Sequence, residues 1–429
     1  MKKTLARYVF MIALTLGSLG PTLSAQSFSV IVGTTPNADI HAIAAALGGS
    51  VLDSTDDNVY LLSLPAIPSI YPVGVKYIEP DSLQLASVGH GAIFSVSATT
   101  VSNFYREQPA MLRVKLGNAF QYATGRGVVI ADINALVDVR HPALIGHLTS
   151  GGQFQHGTCT SGSNLNQSTG AFLDQSTGAF LDQSTGAFLD QSTGAFLDQS
   201  TGAFLDQSTG AFLDQSTASS INAMSQAHGH GTIVAGILAV MAPDAMIMPL
   251  QAFDDHGCGS TYNITKAVKY AVSHGAQVIN MSFGIPSESQ ALKNAINQAL
   301  KAGIVVVASA GNENTAAPQY PAAYPGVLGV AATTLTDVKA SFSDYGHDVF
   351  VSAPGTNIIS AYPGGYYAVV SGTSFSAPMV AAEAALLRSL NNSGWTKSIG
   401  AGVDHIDALN PGYAGELGAG RINLLKAVQ

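Results

Sequence analysis

The stretch that decides the fold runs from residue 292 to residue 313 and reads LKNAINQALKAGIVVVASAGNE. Its first part, 292–302, repeats apolar residues at helical spacing, and Gly303 supplies a residue suited to ending a helix. A continuous apolar run follows at 304–308, and small and polar residues come directly after it. A helix that leads into a fully apolar strand is typical of a parallel sheet covered on both faces.

The same alternation continues on both sides of this stretch. We predict strands at 127–131, 245–250, 277–281 and 304–308, and helices at 232–241, 265–274, 292–302 and 378–390. The pattern favours an α/β fold, a three-layer doubly wound and mostly parallel sheet. Since ligands bind beyond the carboxyl ends of such strands, we expect the functional residues there.

The N-terminal quarter of the chain is different. Residues 1–25 combine a basic start, a short apolar run and small residues at Ser24 and Ala25, which predicts an export signal rather than a membrane anchor. Residues 26–100 predict a small α+β unit, read either as a removable pro-segment or as a permanent domain. Its strands are expected at 28–32, 59–64 and 75–78, its helix at 39–47, and a linker at 87–102.

The net charge, the cysteines and an internal repeat narrow the possible partners and the possible roles of these segments. The formal net charge of −9, with no basic stripe, argues against a nucleic-acid partner. Cys159 and Cys258 are either one local disulfide or two unpaired thiols. Six identical octapeptides, QSTGAFLD, fill 167–214. The start of a seventh copy follows them, so the whole repeat insertion covers 167–218. We interpret them as a surface insertion without a catalytic group.

Four polar residues lie where this fold places ligands. Asp132 follows the strand 127–131, where a lone Asp is more often a turn former than a catalyst. His230 opens an apolar helix between two glycines. Ser374 precedes a helix whose first turn suits Pro378, so free N–H groups there favour a developing oxyanion. Asn312, just past the strand 304–308, offers a second donor to the same oxyanion.

Together these motifs resemble the subtilisin-like serine proteases, over roughly 125–428 and apart from the repeats. His-Gly-Thr at 230–232, Ala-Gly-Asn at 310–312 and Gly-Thr-Ser at 372–374 carry the resemblance. Further matches lie at 340–346, 353–355 and 418–423. The resemblance implies a charge-relay triad of Asp132 as orienter, His230 as general base and Ser374 as nucleophile, with Asn312 and the Ser374 N–H as oxyanion donors.

The resemblance also implies a secreted, monomeric endopeptidase whose segment 26–100 is an inhibitory propeptide. Its partners would be protein or peptide substrates and its own propeptide, and catalysis would need no cofactor. Structural calcium is common in such proteases, but no acidic loop here identifies a site, so calcium stays unassigned. The extended backbone of Ser282, Phe283 and Gly284, together with Glu313, is expected to border the substrate, while cleavage preference is not readable.

Two departures from the family pattern concern the site. The family writes Asp-Thr-Gly after its strand, whereas Ile133 and Asn134 follow Asp132, and about two extra residues then precede Asp138. Asp138 is therefore a rival orienter. In addition, Ile233 replaces the second His of the usual His-Gly-Thr-His, which is not the base.

Other classes were weighed against this interpretation. An α/β-hydrolase esterase needs Gly-x-Ser-x-Gly and the order Ser, Asp, His, and the chain has neither. A zinc enzyme lacks support because no His-Glu-x-x-His motif is present. A catalytically impaired binding protein that keeps the fold remains the alternative, and the altered sequence after Asp132 is its support.

Overall fold

The structure, a computed structural model, describes residues 27–85, 90–94, 105–154, 226–254, 257–391 and 393–429. The predicted signal 1–25, the repeat insertion 167–218 and Cys159 lie outside these ranges. None of the helices within them is long and apolar enough to cross a membrane.

The N-terminal unit is a four-stranded antiparallel sheet with one helix packed on it. The strands lie in the order β2-β3-β1-β4, and their apolar residues form a small core of their own with the helix. The predicted strands and helix are all present, and one further strand, β2, was missed because it is short and mostly polar. The elements are β1 Phe28–Thr34, α1 Ile40–Ala46, β2 Ser50–Ser54, β3 Val59–Leu64 and β4 Val75–Pro80.

Two strands beyond this unit pair with the larger part of the chain. Strand β5, Leu83–Leu85, pairs antiparallel with β10, Cys258–Ser260. Strand β6, His90–Phe94, pairs antiparallel with β16, Tyr366–Ser371. The predicted linker 87–102 is therefore wrong for its residues 90–94, because partner strands from elsewhere in the chain organise a segment whose composition suggests none.

A nine-stranded sheet forms the centre of the larger part. Its order is β17-β18-β14-β13-β12-β11-β7-β9-β8, parallel except for the β17–β18 pair at one edge. This confirms the predicted α/β, mostly parallel architecture. The strands are β7 Val129–Asn134, β8 Gly152–Gln153, β9 Met246–Gln251, β11 Val278–Met281, β12 Val305–Ser309, β13 Leu328–Thr333, β14 Val349–Pro354, β17 Val403–Asp404 and β18 Arg421–Ile422, and β15, Ile358–Tyr362, pairs with β16 outside this sheet.

Helices cover both faces of this sheet. Because neighbouring residues of a strand point to opposite faces, each strand feeds two cores: Val305 and Val307 pack into one, and Val306 and Ala308 into the other. The helices are α2 Pro109–Arg113, α3 Leu116–Ala119, α4 Gln226–Met241, α5 Thr261–Ser273, α6 Gln290–Lys301, α7 Thr373–Ser389, α8 Trp395–Ala401 and α9 Leu424–Val428, with 3-10 turns at Asp407–Leu409 and Pro411–Tyr413.

The register of the central strands places the functional residues. Asn280 of β11 lies beside Asp132 of β7, and the two strands run parallel to the same carboxyl edge. There Ser282 follows β11, and residues 310–313 follow β12. The residues that the sequence predicts to be functional therefore lie at this edge, where such sheets bind ligands.

Candidate active site

His230 lies in the second turn of α4, against the carboxyl end of β7. A Cβ atom added to Gly231 would lie 2.6 Å from the carbonyl oxygens of both Ala135 and Leu136, so only glycine permits this approach. The approach brings the imidazole onto the sheet edge, where it is almost fully buried.

Asn134, not Asp132, is the side chain that contacts this imidazole. The distance from His230 Nδ1 to Asn134 Oδ1 is 2.8 Å. The assignment of Asp132 as the direct orienter of His230 is therefore wrong. The reason lies in the strand, since β7 continues to Asn134 instead of ending at residue 131. Asp132 thus lies within the strand, two residues before the edge and on the same face as Asn134.

Asp138, the rival orienter, is engaged elsewhere. Its carboxylate accepts hydrogen bonds from the backbone N–H groups of Arg140, at 3.0 Å, and Gly364, at 2.9 Å. The register also explains the two residues that looked like an insertion. Counted back from Asp138, the position of the family's aspartate falls on Asn134.

Asp132 forms the layer behind Asn134. Its Oδ1 accepts a 2.9 Å hydrogen bond from Asn280 Nδ2, and Asn134 Nδ2 lies 3.5 and 3.4 Å from its two oxygens. Burial raises the pKa of Asp132 to about 7, and the two amide hydrogen bonds only partly offset this rise.

The surroundings of His230 disfavour its charged form. Burial lowers the pKa of His230 to about 4, and within the described residues its ring nitrogen Nδ1 contacts an amide oxygen rather than a carboxylate. Its Nε2 is buried and has no hydrogen-bond partner within the described part of the chain. The ring centroid lies 5.7 Å from that of Phe375, the neighbour of Ser374. The nitrogen that would take a proton from the nucleophile is therefore unprotonated around neutral pH.

Ser374 lies inside the first turn of α7, one residue after the helix begins at Thr373. The prediction that it precedes the helix is off by about a turn, since α7 starts five residues before Pro378. The consequence for chemistry is unchanged, because first-turn N–H groups have no intrahelical acceptor and favour negative charge. Its Oγ donates a 3.1 Å hydrogen bond to the Ser282 carbonyl.

Asn312 is fixed against the same helix. Its Oδ1 accepts hydrogen bonds from the N–H and the Oγ1–H of Thr373, each at 2.9 Å. These two bonds determine which end of the amide is oxygen, so the other end is the NH₂ donor. The structure thus brings Asn312 next to Ser374, as the sequence predicts.

Asp344 holds the loop that carries Asn312, and sequence reasoning missed it. Its Oδ1 accepts 2.9 Å hydrogen bonds from the N–H groups of Glu313 and Thr315. A Cβ at Gly311 would lie 2.1 Å from Asp344 Oδ2, so this loop requires glycine there. Burial raises the pKa of Asp344 to about 6. Its place within the matched segment 340–346 was the available signal.

The residues predicted to border the substrate differ in where the structure places them. The Ser282 carbonyl lies at the nucleophile, and Gly284 passes Gln319, whose Oε1 would be 3.3 Å from an added Cβ. The Phe283 side chain instead packs in the core, with its ring centroid 5.0 Å from that of Phe253. The backbone of Glu313 is bound by Asp344.

The sequence did not reveal strand β10, on which β5 lies. It is only three residues long and contains glycine, so it carries no strand pattern. Cys258, its first residue, is disulfide-bonded, and Cys159 is the only other cysteine of the chain. Among the described residues, no group of three or more His, Cys, Asp or Glu side chains is placed to hold a metal ion.

A serine at a helix N-terminus, a neighbouring amide donor and a buried histidine on a doubly wound sheet define a serine hydrolase. Residues 125–406 match the model of the Subtilase family, and the chain belongs to this family of serine proteases. It is 40% identical over 212 residues to thermitase of Thermoactinomyces vulgaris, covering 47% of this chain and 75% of that protein.

Other comparisons agree. The chain is 39% identical over 175 residues to Subtilisin Savinase of Lederbergia lenta, covering 39% of this chain and 65% of the relative. A crystal structure of fervidolysin from Fervidobacterium pennivorans, a keratinolytic enzyme related to subtilisin, has the same fold. The TM-score is 0.66 at 22% identity, over 94% of this chain and 61% of that one.

Proposed function

We propose that this chain hydrolyses peptide bonds with Ser374 as nucleophile and His230 as general base. As Oγ bonds to the scissile carbonyl carbon, its proton passes to His230 Nε2. Asn312 Nδ2 and the Ser374 N–H stabilise the oxyanion. Collapse breaks the C–N bond, and the proton moves from Nε2 to the leaving amine. Water, deprotonated by the same nitrogen, then attacks the acyl carbon, and the bond from that carbon to Ser374 Oγ breaks as the proton passes from Nε2 to Oγ.

The observation that carries this proposal is the course of the chain's own strands. Strand β5 lies antiparallel on Cys258–Ser260, and β6 begins with His90 opposite Ser371, three residues before the nucleophile. Such pairing is how an extended peptide binds to a sheet edge. Only residues 86–89 separate the two strands. The segment therefore binds on both sides of Ser374 as a peptide substrate would.

Packing connects β10 to the nucleophile. A Cβ at Gly259 would lie 2.8 Å from the Phe253 ring, which in turn packs on Phe283. The neighbouring Ser282 carbonyl accepts the Ser374 Oγ–H. The residues that flank β10 are thus packed together with those that flank Ser374.

The N-terminal unit docks as a pro-segment would. Its Glu79 accepts hydrogen bonds from the first N–H groups of α6, those of Gln290 and Ala291, at 2.8 and 3.1 Å. Its Asp81 accepts from the N–H of Tyr262 at 2.9 Å, at the start of α5. Carboxylates at helix N-termini are stabilised by free N–H groups and the helix dipole. We infer that residues 26–100 contain an inhibitory propeptide, which occupies the cleft and is cut from the rest of the chain between Leu85 and His90.

The destination of the protein follows from two features. The basic and apolar leader in residues 1–25 predicts export, and the disulfide at Cys258 suits an oxidising compartment. We therefore propose that the protease acts outside the cytoplasm, on protein or peptide substrates, as a monomer, and without a cofactor in catalysis.

One observation favours a second candidate, a catalytically impaired binding protein. Asn134 supplies no charge to the imidazolium that forms during catalysis, which other serine proteases stabilise with a carboxylate. This observation lowers the expected rate but leaves the nucleophile, base and oxyanion donor in place.

A phosphonofluoridate probe separates the two candidates. We expect one phosphonyl group on the wild-type chain, located on Ser374 by peptide mass spectrometry, and none on the Ser374→Ala variant. Because the propeptide covers the cleft, labelling is followed over time alongside casein hydrolysis. A folded wild-type chain that neither labels nor digests casein would support the binding protein instead.

A further inference from the structure

The orientation of the Asn134 amide is settled by its neighbours. Its Oδ1 accepts a 2.9 Å hydrogen bond from the N–H of Ala135, which an NH₂ group at that place would repel. Its Nδ2 faces the two carboxylate oxygens of Asp132. The oxygen is therefore the atom that meets His230 Nδ1, so Nδ1 carries the hydrogen and Nε2 is the basic nitrogen.

Asp132 is itself anchored on the other side. Asn280 Nδ2 donates to Asp132 Oδ1 at 2.9 Å and to Ser282 Oγ at 3.0 Å. Asp132 is fully buried, so its carboxyl cannot turn to water for partners. An ionised carboxylate can only accept hydrogen bonds. Its charge therefore orients the NH₂ groups of Asn280 and Asn134 toward it.

We propose that Asp132 is a positioning residue that acts on His230 through Asn134, so that this chain uses a four-membered relay from Asp132 to Asn134, His230 and Ser374. The inference rests on the proposed function. In it, the carboxylate holds the Asn134 amide with its oxygen toward His230. It also supplies the negative charge that stabilises imidazolium, from one side chain further away.

The charged groups of the helices that pack against β7 do not replace this charge. Lys266 and Lys269 of α5 are cations, so they cannot supply a negative charge. Glu383 of α7 is fully buried, and burial holds its pKa well above the usual range, which disfavours its charged form. The groups that act on the pKa of Asp132 itself are the neutral amides of Asn280 and Asn134, opposing its burial.

The relay has a distinctive pH dependence. Burial raises the pKa of Asp132 to about 7, so the carboxylate is charged above that pH and neutral below it. The pKa of His230, lowered to about 4, leaves the base unprotonated throughout this range. We therefore expect kcat to rise as the pH rises through about 7, on account of Asp132 and not of the base.

The test is Asp132→Asn in the full chain, assayed with a fluorogenic peptide after self-processing. A carboxylate in direct contact with the imidazole contributes about 10⁴ in kcat, and one that acts through an intervening amide contributes less, so we expect kcat to fall by about tenfold above pH 8. We expect KM to stay unchanged and the step near pH 7 to disappear. Asp138→Asn, a neighbouring acid outside the relay, should keep both the step and the rate.

Two results would overturn the relay: an unchanged kcat with the step intact in Asp132→Asn, or an equal loss at every pH with the step retained. Thermal unfolding of each variant shows whether it has folded. If Asp132→Asn fails to fold, Asp132→Glu, which keeps the charge but displaces the carboxyl, should retain a step, and its absence would contradict the relay. Labelling of Ser374 in the wild-type chain remains the separate measure of the proposed function.

Discussion

Moving the carboxylate to the imidazole, in the double variant Asp132→Asn/Asn134→Asp, is expected to raise kcat. Loss of the carboxylate beside a catalytic imidazole costs a serine protease about 10⁴ in kcat, chiefly through the wrong tautomer. Here Asn134 already enforces the productive tautomer, so we expect a smaller gain, about 10²–10³. The pKa of His230 should rise as well, because an adjacent charge favours imidazolium.

The exchange preserves the hydrogen bonds of the site. Asp at 134 accepts from His230 Nδ1 and from the N–H of Ala135, and Asn at 132 donates to it while accepting from Asn280. Net charge is unchanged, so the comparison isolates the position of the carboxylate. A double variant that folds, labels at Ser374 and gains nothing in kcat would show that the amide is not the limiting feature.

Replacing Asn312 with Ala is expected to lower kcat with little change in KM. Its NH₂ group is the side-chain donor to the oxyanion, which exists in the transition state but not in the bound substrate. We expect a loss of about 10²–10³, the range established for the matching donor of a subtilisin. The measurement is kcat and KM for peptide hydrolysis by the self-processed protein.

Two companions to this variant keep the result interpretable. Asn312→Asp retains the oxygen that Thr373 binds but removes the donor, so it should lose at least as much activity with the loop intact. Asn297→Ala, on the outer side of α6, should have wild-type kinetics. A fall in Asn312→Ala that appears in KM alone would assign Asn312 to substrate binding instead.

Much of the architecture was predictable because its strands are continuous apolar runs between amphipathic helices. Ser374, His230 and Asn312 could be singled out from the sequence because each belongs to a motif at a strand end or a helix start. The carboxyl end of β7 was predicted wrongly. Carboxylates are rarely buried, so the sequence offered no reason to place Asp132 inside a strand. Asp132 interrupts the apolar run, so the strand seemed to end at residue 131, three residues before Asn134.

Long-range pairing accounts for the other differences. Strands β5, β6 and β10 are three to five residues long, and each is ordered by a partner far away in the chain. Local composition does not record such pairing, so residues 90–94 resembled a linker. Asp344 acts on backbone N–H groups some thirty positions earlier, which no local pattern reveals.

Self-processing tests the central claim, that Ser374 is a nucleophile with the chain's own strands bound across it. Residues 26–429 are expressed as wild type and as Ser374→Ala, and the products are examined by intact mass and N-terminal sequencing. The account predicts that the wild type acquires a new N-terminus between Leu85 and His90, while the variant stays whole. A new N-terminus elsewhere, or equal cleavage in both proteins, would contradict it.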